Sequence, residues 1–223
     1  MLGRSVGSVS YKLSNFARLD PALQARGIRG NEHGSKGEAE VWREFNDHPE
    51  ALAFESERLL AQRMKKPIEE VAGIDLRDLP EVGRDRDAVV RVRVNQSFFR
   101  RRILSAYEFR CCITGIPIRD LLVASHIMSW ASDTKNRLNP RNGLCLNALH
   151  DRAFDRGLMW VDETFTVHFS RRVTEVDPPS SSLSWLLSFA GRSLILPKRF
   201  APDPVLLRQH AEMSSLASTS PRL

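Results

Sequence analysis

His126, Asn142 and His150 are residues whose types and spacing could do chemistry together. An imidazole can take a proton from water or give a lone pair to a metal ion, and its ordinary pKa near 6.5 leaves it mostly neutral around pH 7. A carboxamide is neither acid nor base at that pH, so it positions its neighbours. Two imidazoles and a positioning amide suit phosphodiester hydrolysis, in which a water is deprotonated as it attacks phosphorus and charge builds on the nonbridging and leaving oxygens. Singly, a His closing a strand and an Asn in an Asn-Gly turn read as ordinary structural residues. The elements that carry the three therefore decide what they mean.

Those elements follow from the local pattern. LLVASHI at 121–127 reads as a short buried strand, a polar loop follows, and NGLCL at 142–146 reads as a second strand. A helix is expected from about Asn147 to Asp155, with Gly157 placed to end it. LMWV and FTVHFS, on either side of Asp162, Glu163 and Thr164, read as a hairpin beyond it. The order is strand, loop, strand, helix, with His126 ending the first strand, Asn142 opening the second and His150 on the helix.

ASHIMSW and NGLCLNALHDRAFDRGL, preceded by CCITG, resemble the HNH endonuclease superfamily in the branch whose motif runs AxHI, NGL and LHxxFDxGL. The resemblance covers about Cys111 to Asp162. It implies a ββα-metal nuclease core in which His126 is the general base, Asn142 orients the loop and holds the His126 ring, and His150 binds a divalent cation. Mg²⁺ or Mn²⁺ is the expected ion, and an imidazole ligand also admits Ni²⁺ or Zn²⁺. The chain departs from the commonest pattern at Ser125, where many relatives place an Asp or His as a second ligand. Asp151 and Asp155 are the nearest carboxylates and lie four apart on one helix face. The step from His150 to Asp155 turns about 140°, so Asp155 is expected to pair with an arginine instead. Cys111, Cys112 and Cys145 cannot form two CxxC pairs and are expected to be buried thiols, and Trp130 and Trp160 are expected in the core.

The surrounding chain suggests an α+β protein in three parts. Residues 1–83 would form a helical region with a loop-rich lead-in through 35 and a linker from 67 to 83. Within it, Val41, Trp42 and Phe45 recur at helical spacing, and a second helix behind Asp47 and Pro49 would bury Leu52, Leu59 and Leu60. Residues 84–171 would hold the nuclease core with a basic arm, and 172–223 a small C-terminal helical extension. The net charge is +6, and 84–110 alone carries eight arginines against three acidic residues. Val90, Val92 and Val94 alternate with Arg91 and Arg93 as in a strand or extended arm, and Ser97 could cap a helix carrying Arg100, Arg101 and Arg102. Arg91, Arg93, Arg100, Arg101 and Arg102 are the candidate nucleic-acid contacts, with DNA the expected partner.

No run approaches the roughly 18 apolar residues of a membrane span, and three cysteines are too few for a disulfide framework, so a cytoplasmic protein is expected. A site that cuts one strand suits a homodimer. A compact nuclease suits restriction or phage defence. Two rivals remain open: a DNA-binding module with a decayed site, for which Ser125 speaks, and an RNA-cleaving toxin.

Overall fold

A computed structural model describes residues 3–31, 33–79, 84–178 and 180–219. The chain forms two compact units, Met1–Met64 and Lys65–Leu223.

The first unit is helical: α1 (Val6–Ala17), α2 (Pro21–Ala25), α3 (Lys36–Phe45) and α4 (Pro49–Met64). The loop-rich lead-in expected before residue 35 is thus largely helix. Caps explain why weak helix formers suffice there. Ser5 accepts from the Ser8 N–H, Asp20 accepts from Ala22 and Leu23 ahead of Pro21, and Ser35 with Glu38 closes a capping box. Glu38 also ties α3 to α1, accepting from Lys12 Nζ at 2.6 Å and Asn15 Nδ2 at 2.8 Å. Those two bonds hold its carboxyl down to about 2 against the opposing effect of burial. The second expected helix is α4, but its buried positions are Ala53, Glu57 and Ala61, whereas Leu52 and Leu59 are exposed.

The second unit begins with α5 (Ile68–Ala72) and α6 (Arg84–Ala106), which pack together. The division expected near residue 84 touches 80–83, which lie outside the described residues. The extended arm expected at 90–94 is part of the long helix α6. Alternation of Val and Arg imitates a strand, yet Val92 is 41% exposed while Val90, Val94, Asn95, Phe99 and Ile103 are buried, a recurrence about every four residues that only a helix turns to one side. Ser97, expected as an N-cap, sits inside α6, and its hydroxyl donates to Ala72 O at 2.7 Å at the end of α5.

Next come β1 (Leu122–His126), β2 (Gly143–Asn147), α7 (Ala148–Asp155), β3 (Met159–Val161) and β4 (Val167–Phe169), in the expected order. β1 and β2 pair antiparallel with His126 opposite Gly143 and Leu122 opposite Asn147. β3 and β4 form the expected hairpin. α6 covers both β1 and β2 through Phe99 and Ile103. Gly143 permits this approach: a Cβ there would stand 2.8 Å from Ile103 Cγ1 and from Phe99 Cζ. Residues 172–223 are no separate extension. α8 (Arg171–Thr174) and α9 (Ser181–Leu187) lead to 191–195, which bonds to the hairpin through Gly191 N to Val167 O at 2.8 Å and Leu194 N to Phe165 O at 2.9 Å. α10 (Pro204–Thr219) then packs on β3, with Leu207 fully buried.

Candidate active site

The loop between β1 and β2 is organised by Asn142, which is fully buried. Its Oδ1 accepts from Met128 N at 2.8 Å, and its Nδ2 donates to Met128 O and Asn136 O, both at 3.1 Å. The carboxamide is spent on the loop backbone and does not reach the His126 ring. Instead, His126 Nε2 stands 2.9 Å from the carbonyl of Arg137, the residue after Asn136. The expected hold of Asn142 on His126 is therefore indirect and runs through the loop. A carbonyl can only accept, so Nε2 carries the hydrogen and Nδ1 keeps the lone pair.

Two aromatic contacts fix the ring itself. Phe99 of α6 stacks on it at 3.8 Å, and Trp130 meets it edge-on at 5.6 Å. Burial lowers the His126 pKa, with the Arg137 carbonyl and the Asp155 charge acting the other way. The outcome is a neutral imidazole with one basic nitrogen, on the wall of a cleft of about 470 Å³.

Ser125, Asp151 and Asp155 line the same cleft. The two carboxylates come from one face of α7, as their four-residue spacing requires. Desolvation raises both their pKa values, most directly for Asp151, which also feels the Asp155 charge and is opposed by the Ser125 hydroxyl. Arg152 and Arg156 pull Asp155 the other way without closing an ion pair, so the expected arginine pairing of Asp155 is not made among the described residues. Ser125 Oγ is buried and closes no well-formed hydrogen bond, although its hydroxyl is near enough to the Asp151 carboxylate to lower that carboxylate's pKa.

His150 is placed elsewhere. It is fully buried, with its ring 5.3 Å from that of Phe189 and 5.8 Å from that of Trp185. The cause is the phase of α7. Asn147 is the N-cap, and its Oδ1 accepts from Leu149 N at 3.1 Å and His150 N at 3.0 Å. That fixes which amide atom is nitrogen, so Asn147 Nδ2 donates to His150 Nδ1 at 2.8 Å. Nδ1 has given up its lone pair, Nε2 carries the hydrogen, and burial lowers the pKa to about 4. Nδ1 is thus occupied by Asn147, while Nε2 is buried without a hydrogen-bond partner, and His150 does not line the cleft. One residue along the helix is a turn of about 100°, which sends Asp151 to the cleft and His150 to the core. Among the described residues, no three or more His, Cys, Asp or Glu side chains converge as a metal cage. The oxygen donors of Asp151 and Asp155, beside the Ser125 hydroxyl, fit a hard divalent ion that takes its remaining ligands from water and phosphate.

The five candidate arginines divide. Arg93, Arg100 and Arg101 line a second groove, while Arg91 is exposed outside it. Arg102 turns the other way, donating to Leu138 O at 3.4 Å and covering the Phe200 ring at 5.2 Å. Its burial lowers its pKa, and it serves to brace the loop. The three cysteines are buried and unpaired, with burial pushing Cys145 up to about 12. His168 is half-exposed and bonded to Asp162 Oδ2 at 2.7 Å. Sequence reasoning gave no role to α10, yet its His210, Met213 and Ser214 line the cleft. Only long-range packing brings them there, and no local pattern announces it.

Residues 111–162 match a family model described as HNH endonuclease. Over these residues the chain is similar to HNH endonucleases. The HNH match spans the strand, loop, strand and helix that carry His126, Asn142, Asp151 and Asp155. The match suggests nuclease activity, and HNH nucleases generally use divalent metal ions. A comparison with curated proteins finds no match. Among the described residues, no helix is long and apolar enough to cross a membrane.

Proposed function

We propose that the chain is a metal-dependent endonuclease that hydrolyses phosphodiester bonds in DNA. The observation that carries this reading is the hydrogen bond of His126: Nε2–H is held by the Arg137 carbonyl, which leaves Nδ1 its lone pair on a ring that lines the cleft. Nδ1 takes a proton from the water that attacks phosphorus, and Phe99 and Trp130 keep the ring from turning away. A base so placed is worth about 10²–10⁴-fold in rate. Asn142 acts as a positioning residue, because its bonds to Met128 and Asn136 shape the loop that presents the Arg137 carbonyl.

Asp151 and Asp155 would hold the divalent ion, with Ser125 beside them; Mg²⁺ or Mn²⁺ suits these oxygen donors better than Ni²⁺ or Zn²⁺. When bound, such an ion polarises the scissile phosphate and neutralises charge on the leaving oxygen. His150, the ligand that the family pattern suggests, instead holds the start of α7 against α9 through Asn147, Trp185 and Phe189. Restriction or phage defence, in the cytoplasm and as a homodimer when both strands are cut, is the setting that suits such an enzyme.

Among the described residues no three His, Cys, Asp or Glu side chains form a metal cage, which leaves a second reading, a DNA-binding module that has lost catalysis. Plasmid nicking in Mg²⁺ or Mn²⁺ separates the two. The wild type should nick and His126→Ala should not, with both retarding DNA in gels; a wild type that retards DNA without cutting it would leave only the binding module. Degradation of RNA with plasmid DNA spared would point to a ribonuclease.

A further inference from the structure

Beside the cleavage cleft, the second unit holds a groove of about 920 Å³ between the end of α5, one face of α6 and the 3-10 turn Arg119–Leu121 before β1. Arg93, Arg100 and Arg101 line it from α6 and Arg119 from the turn. Three acidic residues also line it, but Glu70 is paired with Lys66 and Asp75 with Arg77, and neither of those cations belongs to the groove wall. Arg93, Arg100 and Arg119 thus face one carboxylate outside an ion pair, Asp120. Among the described residues, Arg93 and Arg100 close no ion pair.

The wall is built and not merely collapsed side chains. Ser97 donates to Ala72 O at 2.7 Å, Arg86 meets Glu69 at 3.3 Å, and Arg101 reaches Val71 O at 3.5 Å, which together lock α5 onto α6. At the other end the Arg119 guanidinium sits over Phe109, with its Cζ 3.8 Å from the ring centroid. A guanidinium braced on an aromatic ring presents a second planar face, on which a nucleobase can stack.

We infer that this groove holds one strand of nucleic acid flanking the cleavage site, with Arg93 and Arg100 on backbone phosphates and a base stacked on the Arg119–Phe109 platform. The inference rests on the nuclease reading only for the identity of the polyanion. A single strand suits this concavity, because its backbone can follow the arginines and a splayed base can stack at the Arg119 end. β1, whose four steps at about 3.3 Å span about 13 Å from Leu122 to His126, joins the Arg119 turn at one end of the groove to the base.

The test uses the full chain carrying His126→Ala, so that nothing is cut, and a fluorescein-labelled single-stranded oligodeoxynucleotide followed by anisotropy over a salt series. Arg93→Gln with Arg100→Gln should weaken binding and lower the slope of log affinity against log salt by about 1.4, as for two lost phosphate contacts on a single strand. Arg93→Lys with Arg100→Lys should keep most of the slope. Arg119→Lys keeps the charge but loses the planar face, so it should leave the slope and weaken binding roughly tenfold. An unchanged affinity and slope in the Gln pair, with the melting temperature preserved, overturns the inference; so does duplex DNA that displaces the label as well as single strand does. Plasmid nicking by the wild type reads the nuclease proposal separately. Nicking without a groove effect sinks the groove alone, and a groove effect without nicking sinks the nuclease alone.

Discussion

At the scale of the residue, the chemistry depends on which nitrogen of each histidine carries its hydrogen. Carbonyl Arg137 decides it for His126, and the cap Asn147 decides it for His150. His126→Ala should therefore lower cleavage by about 10²–10⁴-fold with the fold intact, measured by nicking rate and circular dichroism. Burial lowers the His126 pKa from 6.5, and a general base works unprotonated, so kcat/KM should rise with pH through a limb centred below 6.5 and be flat above it. A limb at or above 6.5 would disprove the assignment. The carboxylates allow a second test, by Mn²⁺ titration calorimetry. Asp151→Asn with Asp155→Asn should weaken ion binding by at least about tenfold, whereas His150→Gln should leave it unchanged. The reverse result would return the ion to His150. The sequence alone could name His126 and Asn142, since strand ends and an Asn-Gly turn are local. It could not say where His150 points, because that depends on Asn147 being the cap, and a shift of one residue in the helix start rotates the whole set by about 100°.

The two strands and the helix of the HNH segment were legible as elements because each is short, contiguous and bounded by its own turn signal. The first half of α6 was not, although the helix expected from Ser97 matches its second half, because Val-Arg alternation over five residues satisfies a period of two while the buried set Val90, Val94, Phe99 and Ile103 satisfies a helix. The two readings differ in energy at specific sites. In a strand Val92 and Val94 share a face and should cost alike when truncated. In the helix Val94 is fully buried and Val92 exposed, so Val94→Ala should cost about 2 kcal/mol and Val92→Ala less than about 0.5 kcal/mol, read from urea midpoints. Packing of α6 on the strands also sets the site. Gly143→Ala would drive a methyl into Ile103 and Phe99, the ring on which His126 stacks. It should cost about 1–3 kcal/mol of stability and lower kcat with it. Full activity in that variant would show that the stack does not position the base.

For the whole molecule, what escaped the sequence is long-range closure: 191–195 joining the hairpin, α9 covering His150, and α10 bringing His210 to the cleft and onto Phe154, with ring centroids 3.7 Å apart. No local period encodes which distant apolar faces meet. Their meeting makes the fold sensitive to acid. His150 and His210 are both held neutral by burial, with pKa values lowered to about 4 from an ordinary 6.5. Between those values the unfolded chain binds protons that the folded chain refuses, so stability is retained above 6.5 and lost as pH falls towards 4. For fully buried His150 the loss amounts to about 3 kcal/mol once pH is below both values. Unfolding midpoints of the second unit should thus decline steadily across that window. In His150→Gln, an uncharged side chain that can still accept from Asn147, the protein should start less stable near neutrality but decline less steeply. A midpoint that stays flat from 6.5 to 4 in the wild type, or declines equally in both proteins, would mean that the imidazole of His150 is solvated or charged in the folded state. The closed packing of α9 over α7 would then be wrong, and with it the physical ground for removing His150 from the metal site.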